Sequence, residues 1–323
     1  MPRNNQGICI FILKQSTMEW TWQGVMPALT TKFTDSDELD TGLFVKNVRA
    51  QMAAGVSGLI LGGTLGEAST LTEKEKDTLT LVALKEADGR IPVIVNIAEQ
   101  RTSDAVQAAR RAASNGAQGL MLLPPMRYKA TSRETVAYFR AVADSTDLPI
   151  LIYNNPVDYG IEVTPDMFEE LLSTCPTVGA VKESTREISN VTRLRNRFGD
   201  RLRILTGVDT LGLESILMGA DGWVAGLVCA YPAETVAVYA LGKAGRIAEA
   251  RSIYQWFLPL LELDISPQLV QNIKLAEVAT GLGSEQVRPP RLPLEGAERE
   301  RVMGIIRKAM AQRPELPQYK QYL

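Results

Sequence analysis

The sequence predicts an α/β fold, a closed (β/α)8 TIM barrel with a C-terminal helical appendage. Eight short apolar, β-branched runs are each followed by a polar segment of helical period, and Gly or Pro residues separate each helix from the next strand. Strict alternation of this kind requires parallel strands joined by right-handed crossovers. Eight such units within about 220 residues fit a closed barrel better than an open sheet.

Each predicted strand precedes a segment that begins like a helix. The strands are predicted at residues 25–30, 58–62, 92–96, 119–123, 149–153, 178–182, 203–206 and 223–226. Helix-capping residues follow four of them, namely Thr72 with Glu75, Thr131 with Glu134, Thr164 before Pro165, and Ser184 with Glu187. An open sheet with a dinucleotide site is the competing fold, but Gly62-Gly63-Thr64-Leu65-Gly66 lacks the ending of that motif.

The domain boundaries follow from the same pattern. Residues 1–20 are predicted to form a disordered extension, residues 21–244 the barrel, and residues 245–323 a helical region. Within that last region, helical periodicity covers residues 247–261, 267–280 and 296–310.

Composition excludes several classes of function. The 323 residues contain 35 basic and 37 acidic side chains, a balance that gives no footprint for nucleic acid or an anionic membrane. The chain has no histidine, which excludes a Ser-His-Asp triad, a Cys-His pair and any His-ligated metal. Three dispersed cysteines suit a reducing cytoplasm, and no apolar run reaches the roughly 20 residues of a membrane span.

A lysine ends the sixth predicted strand. The strand reads Val-Gly-Ala-Val-Lys, so the amine of Lys182 is expected to point into the mouth of the barrel, where reactive groups of this fold lie. Burial there disfavours the ammonium form, and a neutral amine can attack a carbonyl carbon to form an imine. A structural salt bridge, for example to Glu183, is the alternative that the sequence leaves open.

Two further features are expected beside this lysine. Tyr153 ends the fifth strand, about 4.8 Å from the sixth, so its hydroxyl can reach the same substrate; a packing role is the alternative. After the second strand, Gly63, Thr64 and Leu65 form a turn whose backbone N–H groups and hydroxyl suit a carboxylate.

These motifs, in this order, resemble the dihydrodipicolinate synthase and N-acetylneuraminate lyase family of Schiff-base barrels. The resemblance implies a class I lyase, a homotetramer built as a dimer of dimers, no metal or organic cofactor, and a small 2-oxo or cyclic 2-imino acid as substrate. It also implies that Lys182 forms the imine, Tyr153 relays protons, and Thr64 with the Leu65 amide binds the carboxylate. The matching residues are Gly63-Thr64-Leu65-Gly66-Glu67, Tyr153-Asn154-Asn155-Pro156 and Val181-Lys182-Glu183.

The sequence departs from the synthase members of the family at three positions. Asp158 stands where those members have an arginine for the second substrate's carboxylate. Leu65 replaces a relay threonine, and Arg127, next to Tyr128, replaces a second relay tyrosine. The further substrate contacts that we expect are Arg127, Tyr128, Asn155, Asp158 and Val224.

Together with Leu263-Asp264 ahead of residues 269–277, these departures resemble the branch that degrades hydroxyproline, with 1-pyrroline-4-hydroxy-2-carboxylate deaminase activity. A 4-hydroxy-tetrahydrodipicolinate synthase, a sugar-acid aldolase or dehydratase, and a non-catalytic ligand-binding barrel are the alternatives. A phosphate-binding barrel is disfavoured, because the loops that carry Gly207 and Gly226 have no basic residue and Asp209 would repel phosphate.

Overall fold

The computed structural model describes residues 20–323 and contains the predicted barrel. The strands pair in parallel in the order β1-β8-β7-β6-β5-β4-β3-β2, and a parallel bridge between Ala28 and Ile60 joins β1 to β2. The sheet therefore closes on itself, which confirms the predicted fold class. The strands are β1 (Gly24–Pro27), β2 (Leu59–Leu61), β3 (Val93–Ile97), β4 (Gly119–Leu122), β5 (Ile150–Asn154), β6 (Val178–Glu183), β7 (Arg203–Thr206) and β8 (Gly222–Ala225).

Helices follow the strands, and three more helices follow the barrel. The extension predicted for residues 1–20 lies, except for Trp20, outside the described residues. The helices are α1 (Thr41–Ala54), α2 (Glu73–Ala87), α3 (Thr102–Ser114), α4 (Ser132–Ala143), α5 (Pro156–Tyr159), α6 (Pro165–Thr174), α7 (Ser189–Phe198), α8 (Gly212–Leu217), α9 (Pro232–Lys243), α10 (Ile247–Leu261), α11 (Leu269–Thr280) and α12 (Gly296–Ala311). The helical periodicity predicted after residue 245 is confirmed by α10, α11 and α12.

Three of the four predicted helix starts are confirmed. Reciprocal capping boxes open α2 and α4, and the Thr164 side chain caps α6 just before Pro165. The capping box predicted at Ser184 is wrong. The N–H of Ser184 instead donates to the carbonyl of Asn154 at 2.9 Å, so strand pairing continues through this residue, and α7 begins only at Ser189.

Apolar side chains fill the barrel below its mouth. With the interior packed, the carboxyl ends of the strands and the loops after them are the place for a site, as is typical of this fold. Each of these side chains is at most 1% exposed: Met26, Ile60, Ile94, Met121, Leu151, Ala180, Leu205 and Val224. Within residues 20–323, no helix has the length and apolarity to cross a membrane.

A buried group of charged side chains connects the loop after β2 with α11. The amine of Lys274 donates to Glu67 Oε1 at 2.5 Å and to the carbonyl of Gln286 at 2.6 Å. The amine of Lys32 donates to Glu277 at 2.6 Å, and all four charged side chains are fully buried. Buried charges are stable only when they are paired, so these contacts anchor the loop after β2 to the C-terminal region.

We expect Lys274→Met to lower the free energy of unfolding by about 3 kcal/mol, because buried Glu67 then keeps only the guanidinium of Arg291, 3.9 Å away, as a cation. Urea unfolding followed by circular dichroism measures the change. The double variant Glu67→Gln/Lys274→Met should recover most of the loss, since neither charge of the pair then remains. As a control, Arg307→Met removes an exposed ion pair with Glu300 and should change little. Equal midpoints for Lys274→Met and Arg307→Met would contradict the prediction.

Candidate active site

A cavity of about 100 Å³ opens at the carboxyl ends of the strands. Lys182 and Tyr153 line it from β6 and β5, where they are direct neighbours in the strand register. Gly63, Thr64 and Leu65 line it from the loop after β2. The structure therefore brings the three predicted motifs together in one site.

The amine of Lys182 is buried in this cavity and has no polar partner. Lys182 is 7% exposed, and its Nζ lies 4.0 Å from the centroid of the Tyr153 ring. Among residues 20–323, no hydrogen bond or ion pair holds the amine. Burial lowers the pKa of Lys182, while the Tyr159 hydroxyl and nearby carboxylates oppose that shift. The shift favours the neutral amine that attacks a carbonyl carbon.

The alternative of a salt bridge between Lys182 and Glu183 is wrong. Successive residues of a strand point to opposite faces, and Glu183 does not line the cavity. Its carboxylate instead accepts hydrogen bonds from the N–H of Thr185 at 2.8 Å and from Asn154 Nδ2 at 3.3 Å.

Gly207, which follows β7, leaves the space that the Lys182 side chain occupies. A Cβ at residue 207 would lie 2.5 Å from Lys182 Cε and 2.3 Å from Ser184 Oγ. Ser184 also lines the cavity, and its buried hydroxyl has no hydrogen-bond partner in the described part of the chain. The absence of a side chain at residue 207 is therefore a condition for the observed position of the amine.

Hydroxyl groups surround the lysine on the side of β5. Tyr153 Oη accepts a hydrogen bond from Asn155 Nδ2 at 3.2 Å, and burial raises the pKa of Tyr153 to about 12. Tyr159 packs edge-on against the Tyr153 ring, with 5.5 Å between centroids. Its hydroxyl lies 2.7 Å from Thr64 Oγ1. Sequence reasoning missed Tyr159, although its place soon after the Tyr-Asn-Asn-Pro motif was an available signal.

An ion pair stands at the mouth of the cavity. Asp158 accepts a hydrogen bond from Asn155 at 2.7 Å and pairs with Arg186 at 3.3 Å, and all three residues line the cavity. Arg186 was also missed; it adopts a left-handed backbone (φ 64°) in the turn after β6. Of the other expected contacts, Val224 lines the cavity from β8.

Arg127 and Tyr128, two of the expected contacts, do not line the cavity of this chain. The chain after Pro124-Pro125 forms a turn in which both side chains are exposed. In that turn, the N–H of Arg127 donates to Gln100 Oε1 at 2.8 Å.

The C-terminal region also contributes a carboxyl group to the cavity. Asp264 lies in the short turn Glu262–Ile265 after α10 and lines the cavity. The sequence offered no local signal for this role, because the barrel strands end well before residue 264. Burial, together with the charge of Asp209, raises the pKa of Asp264 well above the ordinary range.

A closed barrel whose mouth holds a buried lysine, unpaired among the described residues, defines a class I lyase, which acts through a lysine Schiff base. The chain belongs to the dihydrodipicolinate synthetase family, whose model matches residues 21–309. It is 34% identical to the 4-hydroxy-tetrahydrodipicolinate synthase of Exiguobacterium sibiricum over 276 residues, which are 84% of this chain and 92% of that protein.

Two solved structures extend the comparison. Dihydrodipicolinate synthase from Aquifex aeolicus superposes with a TM-score of 0.84 at 28% identity, over 89% of this chain and 98% of that one. A monomeric dihydrodipicolinate synthase variant gives a TM-score of 0.84 at 25% identity, over 90% and 96%. The predicted family is confirmed, and the names of these relatives favour the synthase-like alternative over the hydroxyproline branch.

We expect Gly207→Ala to reduce imine formation at Lys182 by about 10²-fold, the usual effect of misplacing a reacting group by about 1 Å. The rate of reductive trapping with pyruvate measures it. Gly179→Ala is the matched control, because it adds the same methyl group on β6 where nothing lies within 4 Å of the new Cβ. Equal trapping rates in the two variants would show that Gly207 has no such role.

Proposed function

We propose that this protein forms an imine between Lys182 and C2 of a small 2-oxo or cyclic 2-imino acid. Tyr153 transfers protons during imine formation and at C3 of the bound substrate. Thr64, Gly63 and the Leu65 amide receive the substrate carboxylate. The observation that carries the proposal is the buried amine of Lys182, which has no partner within residues 20–323 and stands 4.0 Å from the Tyr153 ring.

The arrangement of the residues supports this division of roles. A lysine amine attacks C2, and loss of water then gives an iminium ion into which electrons from the C3–H bond delocalise. A phenol within the cavity can give its proton to the departing water, and the phenolate that remains can accept the C3 proton. Leu65 lacks the relay hydroxyl of other family members, and the pair of Thr64 with Tyr159 supplies hydroxyl groups in its place.

The first candidate reaction is an aldol-type condensation of a 2-oxo acid with an aldehyde. The relative from Exiguobacterium sibiricum is named for such a synthase. Arg186 lines the cavity beside Asp158, so a cation is present at the mouth even though the arginine expected at residue 158 is absent. A second carboxylate can pair with that guanidinium only if it competes with Asp158.

The second candidate is the dehydration and deamination of 1-pyrroline-4-hydroxy-2-carboxylate to 2-oxoglutarate semialdehyde. Asp158 favours it, because a carboxylate at the mouth repels an acceptor that carries its own carboxylate. The cyclic substrate already contains the imine at C2 and has one carboxylate, so Lys182 can enter by transimination without a second carboxylate receptor.

A homotetrameric assembly and a cytoplasmic location remain predictions; light scattering tests the first.

Reductive trapping tests the imine. We expect borohydride with pyruvate to give a covalent adduct that peptide mass mapping places on Lys182, and Lys182→Met to give none. Lys46→Met is a control, because it removes an exposed lysine that does not line the cavity. If the wild-type protein forms no adduct, it is a non-catalytic binder and the proposal is wrong.

A substrate comparison separates the two reactions. We expect turnover of pyruvate with aspartate semialdehyde if Arg186 receives the second carboxylate, and Arg186→Met then raises KM for the aldehyde by about tenfold, the value of one charge-assisted hydrogen bond. Turnover of the hydroxypyrroline alone establishes the second reaction. Turnover only with pyruvate and uncharged sugar aldehydes would contradict both and identify a sugar-acid aldolase.

A further inference from the structure

Asp264 is a cavity side chain to which the proposed chemistry gives no role. It reaches the site from the turn Glu262–Ile265 and lines the same cavity as Lys182 and Tyr153. Within residues 20–323, its carboxyl group forms no hydrogen bond, and no ion pair connects it with Lys182. A half-buried polar group without a partner in a binding cavity is free to bind a ligand.

The other titratable side chains of the cavity, apart from Lys182, have partners in the described part of the chain. Tyr159 pairs with Thr64, and Asp158 pairs with Arg186. Tyr153 accepts its hydrogen bond from an asparagine. Asp264 is therefore the one carboxyl group of the cavity that remains available to a substrate.

Asp209, a second buried carboxylate nearby, is fully committed to the protein. It accepts hydrogen bonds from Trp223 Nε1 at 3.0 Å and from the backbone N–H groups of Gly226 and Leu227 at 3.1 and 2.8 Å. Burial raises the pKa of Asp209, and these N–H donors oppose that shift. The burial of Asp264 and its proximity to Asp209 both raise the pKa of Asp264, which favours the neutral, proton-donating form, while the charge of Lys182 opposes this.

Space for this carboxyl group exists because residue 226 has no side chain. A Cβ on Gly226 would lie 2.5 Å from Asp264 Oδ1 and 3.2 Å from Oδ2. The loop after β2, which is proposed to bind the carboxylate, lies across the barrel from Lys182 on β6. Gly226 follows β8, which lies between β6 and β2, two strands from each. A substrate bound at C1 by that loop and at C2 by Lys182 must turn its C3–C4 segment to one side.

The carboxyl group without a partner lies on the β8 side of the cavity. The strand residues that line the two sides, Met121 of β4 and Val224 of β8, are both apolar, and Asp264 reaches the β8 side from outside the strands. An oxygen atom on C4 that turns to the β8 side therefore meets a carboxyl group that can donate a proton to it.

We propose that Asp264 is the general acid for the oxygen atom on C4 of the substrate, an inference that depends on the proposed imine at Lys182. In a condensation, enamine C3 attacks the aldehyde carbon; the C3–C4 bond forms, the C4–O π bond breaks, and its oxygen takes the Asp264 proton. In a dehydration, Tyr153 first gives its proton to the amine that transimination releases, and the phenolate then removes the C3 proton. The C3=C4 bond forms, and the C4–O bond breaks as Asp264 protonates the departing hydroxyl to water. Solvent at the half-buried carboxylate returns the proton.

Asp264→Asn separates this role from imine chemistry. With pyruvate alone in D2O, exchange of the C3 protons, followed by NMR, needs Lys182 and Tyr153 but no group at C4, and we expect the variant to keep its exchange rate. We expect the kcat of the variant to fall by about 10²-fold or more, as for loss of a general acid. This kcat is measured with the substrate that the wild type turns over, either pyruvate plus aldehyde or hydroxypyrroline carboxylate. Glu262→Gln removes an exposed carboxylate from the same turn and should leave both rates unchanged.

Three results would overturn the inference. An unchanged kcat in Asp264→Asn shows that Asp264 is not an acid in the reaction. A parallel loss of exchange and turnover shows that Asp264 only supports the site. If the wild-type protein neither exchanges pyruvate protons nor forms the Lys182 adduct, the proposed imine fails and this inference fails with it. If the wild type exchanges these protons and Asp264→Asn keeps the wild-type kcat, only the role of Asp264 is refuted.

Discussion

The site depends on one buried amine, that of Lys182, which has no partner in the part of the chain that the structure describes. An ammonium group in an apolar, closed environment is costly unless a carboxylate compensates it, and the nearest carboxylate in sequence, Glu183, is bonded elsewhere. The barrel therefore shifts Lys182 towards its neutral form by burial. The same burial holds Tyr153 as a neutral phenol, since its pKa rises to about 12.

Glycines and strand register set the positions of these groups. The hydrogen bonds that Lys182 and Asp264 do not form within the described residues are available to a substrate. Tyr153 and Lys182 are paired residues of adjacent strands, so their separation is a property of the sheet and not of flexible loops. Gly207 and Gly226 lack the side chains that would occupy the positions of the Lys182 amine and the Asp264 carboxyl group. Preorganised groups of this kind need no rearrangement when charge develops in the reaction.

The C-terminal region is part of the site as well as a cover for the barrel. Its helix α11 pairs with the loop after β2 through Lys274 and Glu67, and its turn Glu262–Ile265 carries Asp264 into the cavity. The loop proposed to bind the substrate carboxylate and the proposed acid are thus held by elements that lie far apart in sequence. This connects the stability of the helical region with the geometry of the reacting groups.

The sequence by itself determined the barrel, its eight strands, the presence of the last three helices, and the meeting of Lys182, Tyr153 and the Gly63-Thr64-Leu65 turn. These follow from local periodicity, capping residues and the rule that strand ends meet at one face of a parallel barrel. Only the tertiary structure decided that Glu183 turns away, that Ser184 starts no helix, that Arg127 and Tyr128 lie outside the cavity, and that Tyr159, Arg186 and Asp264 enter it. Those facts depend on contacts between distant segments and on the direction of each turn, which local pattern does not encode.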